Sequence, residues 1–182
     1  MWIVLLVILA VVVIWFIMAY NGFVSLRNKV EEAYSTMDVM LVKRYDLIPN
    51  LVETVKGYAD FEKETLEKVV SARNLAMNAH SVDEKIACEQ NLNSVLGRLL
   101  AISESYPDLK ANASFIDLQR QLRDMEDEIA NSRKYYNGVV KALNTRIESI
   151  PNNLVAMICG FKKMPLFIVK DEAQRENVKV SF

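Results

Sequence analysis

The first twenty positions carry no charged or strongly polar side chain: MWIVLLVILAVVVIWFIMAY runs unbroken from Met1 to Tyr20. At 1.5 Å per helical residue, about 20 such residues match the roughly 30 Å hydrocarbon core of a bilayer. The stretch predicts a transmembrane helix. A cleaved signal peptide fits less well, because no basic residue precedes the run, it exceeds the usual length of a signal core, and no A-x-A-like site follows it. Trp2 and Tyr20 stand near its two ends, where aromatic rings settle at membrane interfaces, with Trp15 between them.

After Tyr20 the pattern turns amphipathic. Val30, Tyr34, Met37, Leu41 and Ile48 recur at helical spacing, with Asn21-Gly22 the only soft spot between them and the anchor. Pro49 is expected to open a second helix, since proline fits a first turn and not a helix interior. That helix is placed from about Asn50 to Asn78, striped by Leu51, Val55, Tyr58, Leu66 and Val69. Ser81 with Glu84 three residues on forms a capping-box pattern, which starts a third helix carried by Leu92, Val95, Leu96, Leu99 and Leu100 to about Ser103. Tyr106-Pro107-Asp108 is the next break.

The fourth helix has the clearest period. Phe115, Leu118, Leu122, Met125, Ile129, Tyr136, Val139, Leu143 and Ile150 step by threes and fours, interrupted at Ser132 and Arg146, as in a coiled-coil seam. Short connections make successive long helices antiparallel. The fold class is therefore all-α: an anchor over residues 1–22, an up-down antiparallel bundle over 23–150, an apolar and basic segment over 151–168, and a flexible tail over 169–182.

Counting directions brings the chain after Pro151 back to the membrane surface. There Phe161, Lys162, Lys163 and Phe167 combine aromatic rings with a lysine pair. Two readings stay open, an interfacial segment resting on anionic headgroups and a closure of the bundle end, closure being the more ordinary. Arg27 and Lys29 follow the span within the window that sets topology, so the carboxyl side is expected in the cytoplasm, with the amino end outside.

Composition narrows the function classes. The 22 basic and 23 acidic residues give a net charge of -1, without the basic excess that marks nucleic-acid binding. Cys88 and Cys159 lie far apart in no metal or redox spacing and read as spare thiols. His80 is the one histidine, and Met77 rather than Glu lies three residues before it, so the Glu-x-x-His pairs of a di-metal bundle are missing. His80 reads as a solvated or capping group. No nucleophile elbow or glycine-rich phosphate loop occurs. We expect no enzyme, no cofactor, no metal and no small-molecule substrate.

The segment Val39-Met40-Leu41-Val42-Lys43-Arg44-Tyr45-Asp46-Leu47-Ile48-Pro49-Asn50-Leu51-Val52-Glu53-Thr54-Val55-Lys56-Gly57-Tyr58-Ala59 resembles the signature of the LemA family, which centres on a basic-aromatic-Asp-Leu-Ile-Pro-Asn-Leu-Val core. Ser105-Tyr106-Pro107-Asp108-Leu109-Lys110, Tyr135-Tyr136-Asn137 with Asn144, and Pro151, Asn153, Leu154 and Gly160-Phe161-Lys162-Lys163 follow in the family's order. Lys43, Cys159 and Asn177 depart mildly from it. The resemblance implies an all-α bundle behind one transmembrane helix in the bacterial inner membrane, with no agreed activity. A relative acting in magnetosome membrane formation points toward membrane organisation.

Within the signature, Arg44, Asp46, Asn50 and Lys56 admit two readings. One is an anion site at a helix start; the other, more ordinary, is a polar corner stitching two helices. Tyr136 and Asn137 read as packing and an interhelical hydrogen bond. The expected function is a non-enzymatic scaffold that self-associates through the fourth-helix seam and organises or remodels the membrane, with the lipid bilayer and further copies as partners. The alternative is an adaptor whose terminal Val180-Ser181-Phe182 adds to a PDZ-like groove of a soluble protein or protease.

Overall fold

The computed structural model describes residues 1–58 and 63–168, and among them all regular structure is helical. The helices are α1 (Trp2–Lys56), α2 (Lys63–Met77), α3 (Val82–Ser103), α4 (Pro107–Lys110), α5 (Ala113–Glu148) and α6 (Asn152–Cys159). The chain divides into two compact units. Unit 1 joins Met1–Asp38 to Asn131–Leu166, and unit 2 holds residues 39–130 with Phe167 and Ile168.

In unit 1 the side chains of Met1 to Ile14 are all exposed, and burial begins at Ala19 and Phe23. A helix apolar on every face and buried on none is what a lipid surround requires. Phe23, Val30, Ala33 and Met37 then form a buried stripe on α1, and Tyr136, Val140 and Leu143 one on α5. Tyr34 meets Tyr136 with ring centroids 5.8 Å apart, while Arg146 lies 5.3 Å above the Phe23 ring. Advance along α1 is matched by retreat along α5, so the two pack antiparallel.

Unit 2 is built on Leu41, Tyr45, Ile48, Leu51 and Val55 of α1, with Leu66 and Val69 from α2, Leu92 and Leu99 from α3, and Phe115, Leu118, Leu122 and Ile129 from α5. The capping box of α3 forms as the sequence predicts, Ser81 accepting from the Glu84 amide and the Glu84 carboxylate returning to the cap backbone. Asn112 starts α5 by accepting from the Phe115 amide at 3.0 Å, and its own amide donates to the Tyr58 hydroxyl at 2.6 Å.

Asn21-Gly22 does not interrupt α1, which runs on from the apolar span as one helix. Two expectations are corrected. Pro49 does not open a second helix but sits inside α1, so Asn50–Lys56 belong to α1 and α2 begins only at Lys63. The buried stripe through Ile48, Leu51, Val52 and Val55 keeps one period across the proline. Lacking an N–H, Pro49 leaves the Tyr45 carbonyl without its intrahelical donor. Arg73 of α2 supplies it, Nε donating to the Tyr45 oxygen at 2.7 Å. The second correction is the end of the α5 seam, where Val140 rather than Val139 is buried and Ile150 lies beyond the helix at 84% exposure. Phe115, Leu118, Leu122, Ile129, Tyr136 and Leu143 of that seam are buried within the chain's own packing, and Met125 is half-buried.

Candidate functional site

Two places gather the singled-out residues. In unit 2, α1 carries Arg44 into the interior, where it is 2% exposed. Its Nη2 donates to Glu89 of α3, and its Nη1 donates to Glu126 of α5 at 2.6 Å and to Asn93 of α3 at 2.9 Å. The Tyr45 hydroxyl donates to the other Glu89 oxygen. Both oxygens of Glu89 are thus engaged, leaving no open carboxylate for acid-base work or for a cation. The node is an ionic tie between three helices, with the Arg44 Nε buried without an acceptor, and such ties fix register more surely than they add stability.

Asp46 lies 4.0 Å from Arg73 with its side chain largely in solvent, so Arg73 joins α2 to the signature through a carbonyl and, loosely, a carboxylate. Pro49 and Asn50 are exposed on α1, the Asn50 carbonyl accepting from the Thr54 hydroxyl, and Lys56 pairs with Glu53. The anion reading of this corner needed a helix start at Asn50. No helix starts there, and the backbone donors it called for lie within α1. Tyr106 precedes α4, with Pro107 in its first turn. Among the described residues no cluster of His, Cys, Asp and Glu could hold a metal ion. His80 is exposed, its amide donating to Glu84 Oε2 at 3.1 Å. That bond and the Ser81 amide hold the Glu84 carboxyl below its ordinary pKa.

A groove of about 750 Å³ on unit 2 is lined by Val52, Leu66, Val70 and Leu75, with Lys56 and Lys63 on either side of the undescribed residues 59–62.

The second place is the end of unit 1 beside the anchor. After Pro151 the short helix α6 buries Val155 and Ala156 and leaves Leu154, Met157 and Ile158 at 51%, 74% and 69% exposure. Gly160 ends it with φ 73, a left-handed conformation that a side chain disfavours. The reversal lays Phe161 on Phe23 with centroids 4.9 Å apart, and against Tyr20 at 5.9 Å. Asn144 then holds the extended strap at Met164 from both sides, donating to its carbonyl and accepting from its amide, each at 2.9 Å. The Tyr136 hydroxyl donates to the Pro165 carbonyl at 3.0 Å, so its partner is the strap rather than another helix. Burial, then the neighbouring Tyr34, raises the Tyr136 pKa. Asn137 is half-buried, Lys163 pairs with Glu148 and Lys162 is exposed. Phe167, in unit 2, is a buried side chain at 2% exposure, the outcome the closure reading expects rather than an interfacial ring. Val180, Ser181 and Phe182 lie outside the described residues, as does the rest of 169–182.

The sequence reading missed Glu89, Asn93, Glu126 and Arg73. Glu89 left a trace, since it interrupts the apolar stripe of Leu92, Leu96 and Leu99 one turn before it. The others left none, because they act through contacts distant in sequence.

A family model described as the LemA family matches residues 33–182. The chain is 28% identical to the magnetosome protein MamQ of Magnetospirillum gryphiswaldense, over 83% of the chain and 65% of MamQ. It is 27% identical to the protein LemA of Metamycoplasma hominis, over 85% of the chain and 71% of that protein. The chain thus spans just under two thirds of the length of its MamQ relatives.

Proposed function

This chain belongs to the LemA family, and on that basis we propose that it is a membrane-anchored structural protein that organises the bilayer around its anchor, without catalysing a reaction. One observation carries the reading. The exposed face of α6, Leu154, Met157 and Ile158, belongs to the same unit as the anchor, and the Phe161 that follows it packs on Tyr20 and Phe23 where the anchor ends. An apolar helix face at headgroup level wedges into one leaflet. Arg27 and Lys29 just past the span favour the cytoplasmic leaflet of the inner membrane. Similarity to proteins named for the magnetosome agrees with membrane work. Self-association is assigned to the anchor's unpacked faces within the bilayer, since the α5 seam is occupied.

The test is reconstitution of the full chain into liposomes, followed by cryo-electron microscopy of vesicle size and shape. Serine at positions 154, 157 and 158 together should leave the protein inserted and abolish any tubules or small vesicles the parent makes. If parent and triple variant give the same vesicles, the wedge reading is wrong.

A further inference from the structure

On the anchor, Val11, Ile14, Trp15 and Met18 repeat at helical spacing and line one side of a groove of about 450 Å³. Arg146 and Asn152 line the same groove from α5 and α6. The next turn of α1 on this stripe is Gly22, and a Cβ there would collide with the Arg146 guanidinium, so the glycine gives the cation its place against the helix. Arg146 lies over the Phe23 ring, its Nε is buried without a hydrogen-bond acceptor, and no carboxylate pairs with it among the described residues. Lys141 shares a second concavity with Arg146 and Asn152. A buried guanidinium nitrogen without an acceptor is costly, and for the outer nitrogens of the half-exposed Arg146 the acceptor at hand near a bilayer is a phosphate.

We propose that this groove binds one anionic phospholipid, its phosphate on the Arg146 guanidinium and one acyl chain along Val11, Ile14, Trp15 and Met18. From residue 22 to residue 11 the stripe covers about 16 Å at the helical rise, a length an acyl chain can follow. Charge complementarity selects the occupant: a cation with no carboxylate partner stands at the polar end of an apolar groove. The site uses the anchor of the proposed function but does not depend on the bilayer being reshaped.

Trp15 lines the groove and makes it readable. In the Trp2→Phe variant of the full chain, Trp15 is the remaining tryptophan. Reconstituted into nanodiscs, it should be quenched by acyl-brominated phosphatidylglycerol with an apparent affinity about fivefold above that of acyl-brominated phosphatidylcholine, the change one cation near the surface provides. Arg146→Gln should erase this preference and Arg146→Lys should keep part of it. Gly22→Ala should weaken it without removing charge, since the new methyl displaces the guanidinium while alanine favours the helix. Arg27→Gln, which removes a cation outside the groove, should leave it intact. Inorganic phosphate should not compete, because the acyl chain supplies much of the binding; competition would assign the site to a free anion and overturn the lipid. Equal quenching by both lipids, or a preference surviving both Arg146→Gln and Gly22→Ala, overturns the site while leaving the anchor standing. No quenching by either lipid removes the anchor and the site together.

Discussion

Arg44 and Glu89 are buried together, whereas Glu126 keeps half of its side chain in solvent, and that contrast ranks the members of the node. Removing one partner of a buried pair leaves the other charge uncompensated, at a cost of about 3–5 kcal/mol. Glu89→Ala should therefore lower the thermal midpoint of the full chain in detergent, followed by circular dichroism, by roughly 6–20 °C, at about 2–4 °C per kcal/mol for a chain of this size. Tyr45→Phe, which deletes one bond to a charged acceptor, should cost about 1.5–3 kcal/mol. Glu126→Ala should cost under about 1 kcal/mol, because water reaches that carboxylate. A larger loss for Glu126→Ala than for Glu89→Ala would mean the node is not held by its buried pair. Glu84 sets a pH dependence of opposite character, at the surface. Its folded pKa is lowered by the His80 and Ser81 amides. Its contribution is thus fully present above its ordinary unfolded value and is lost as pH falls through the folded one. Measured against the intrinsic exchange rate at each pH, the protection of amides at the start of α3 should fall on acidification below that value, and the Glu84→Gln variant should show no such step.

Pro49 shows how an element outlasts a local rule. Its missing N–H would ordinarily end or kink α1, yet the Tyr45 carbonyl it orphans is taken up by Arg73. A double-mutant cycle isolates that substitution of donors. Arg73→Ala alone should cost about 1–3 kcal/mol, the penalty for an unsatisfied carbonyl together with a lost bond. In the Pro49→Ala background the restored amide can donate to the same oxygen, and the Arg73→Ala cost should fall to less than half. An unchanged cost would show that Arg73 matters for some other contact. The same contrast explains which elements were legible from sequence. The start of α3 was readable because Ser81 and Glu84 lie within one turn and satisfy each other's backbone. The α1 to α2 boundary was misread because what decides it is a guanidinium arriving from another helix, 28 residues on. The polar signature could be seen as a cluster of unusual residues, but Glu89, Asn93 and Glu126, which define its geometry, could not be paired with Arg44 by spacing alone. Gly22 read as a soft spot for a similar reason, the Arg146 guanidinium it accommodates lying on α5.

At the scale of the whole chain, folding and anchoring draw on different residues. Met1 to Ile14 bury nothing, Trp15 and Phe16 are half-covered, and the first buried side chains are Ala19 and Phe23. Apolar burial is the dominant favourable term in folding, so a segment that buries nothing contributes little to it. From Phe23 onward the reverse holds: Phe161 stacks on it, Arg146 covers it, and the strap held by Asn144 and Tyr136 follows from the turn at Gly160. A chain shortened to begin at Ile17 should therefore keep its helical bundle, with an unfolding midpoint within a few degrees of the full chain in the same detergent, while leaving the membrane fraction. Beginning instead at Val24 removes Ala19, Tyr20 and Phe23 together. Losing a buried Phe ring alone costs about 3–5 kcal/mol, so this second cut should lower the midpoint by roughly 6–20 °C and free the Phe161 strap to exchange. Equal loss from both cuts would mean that the anchor itself helps hold the fold, and the separation drawn at Ala19 would fail.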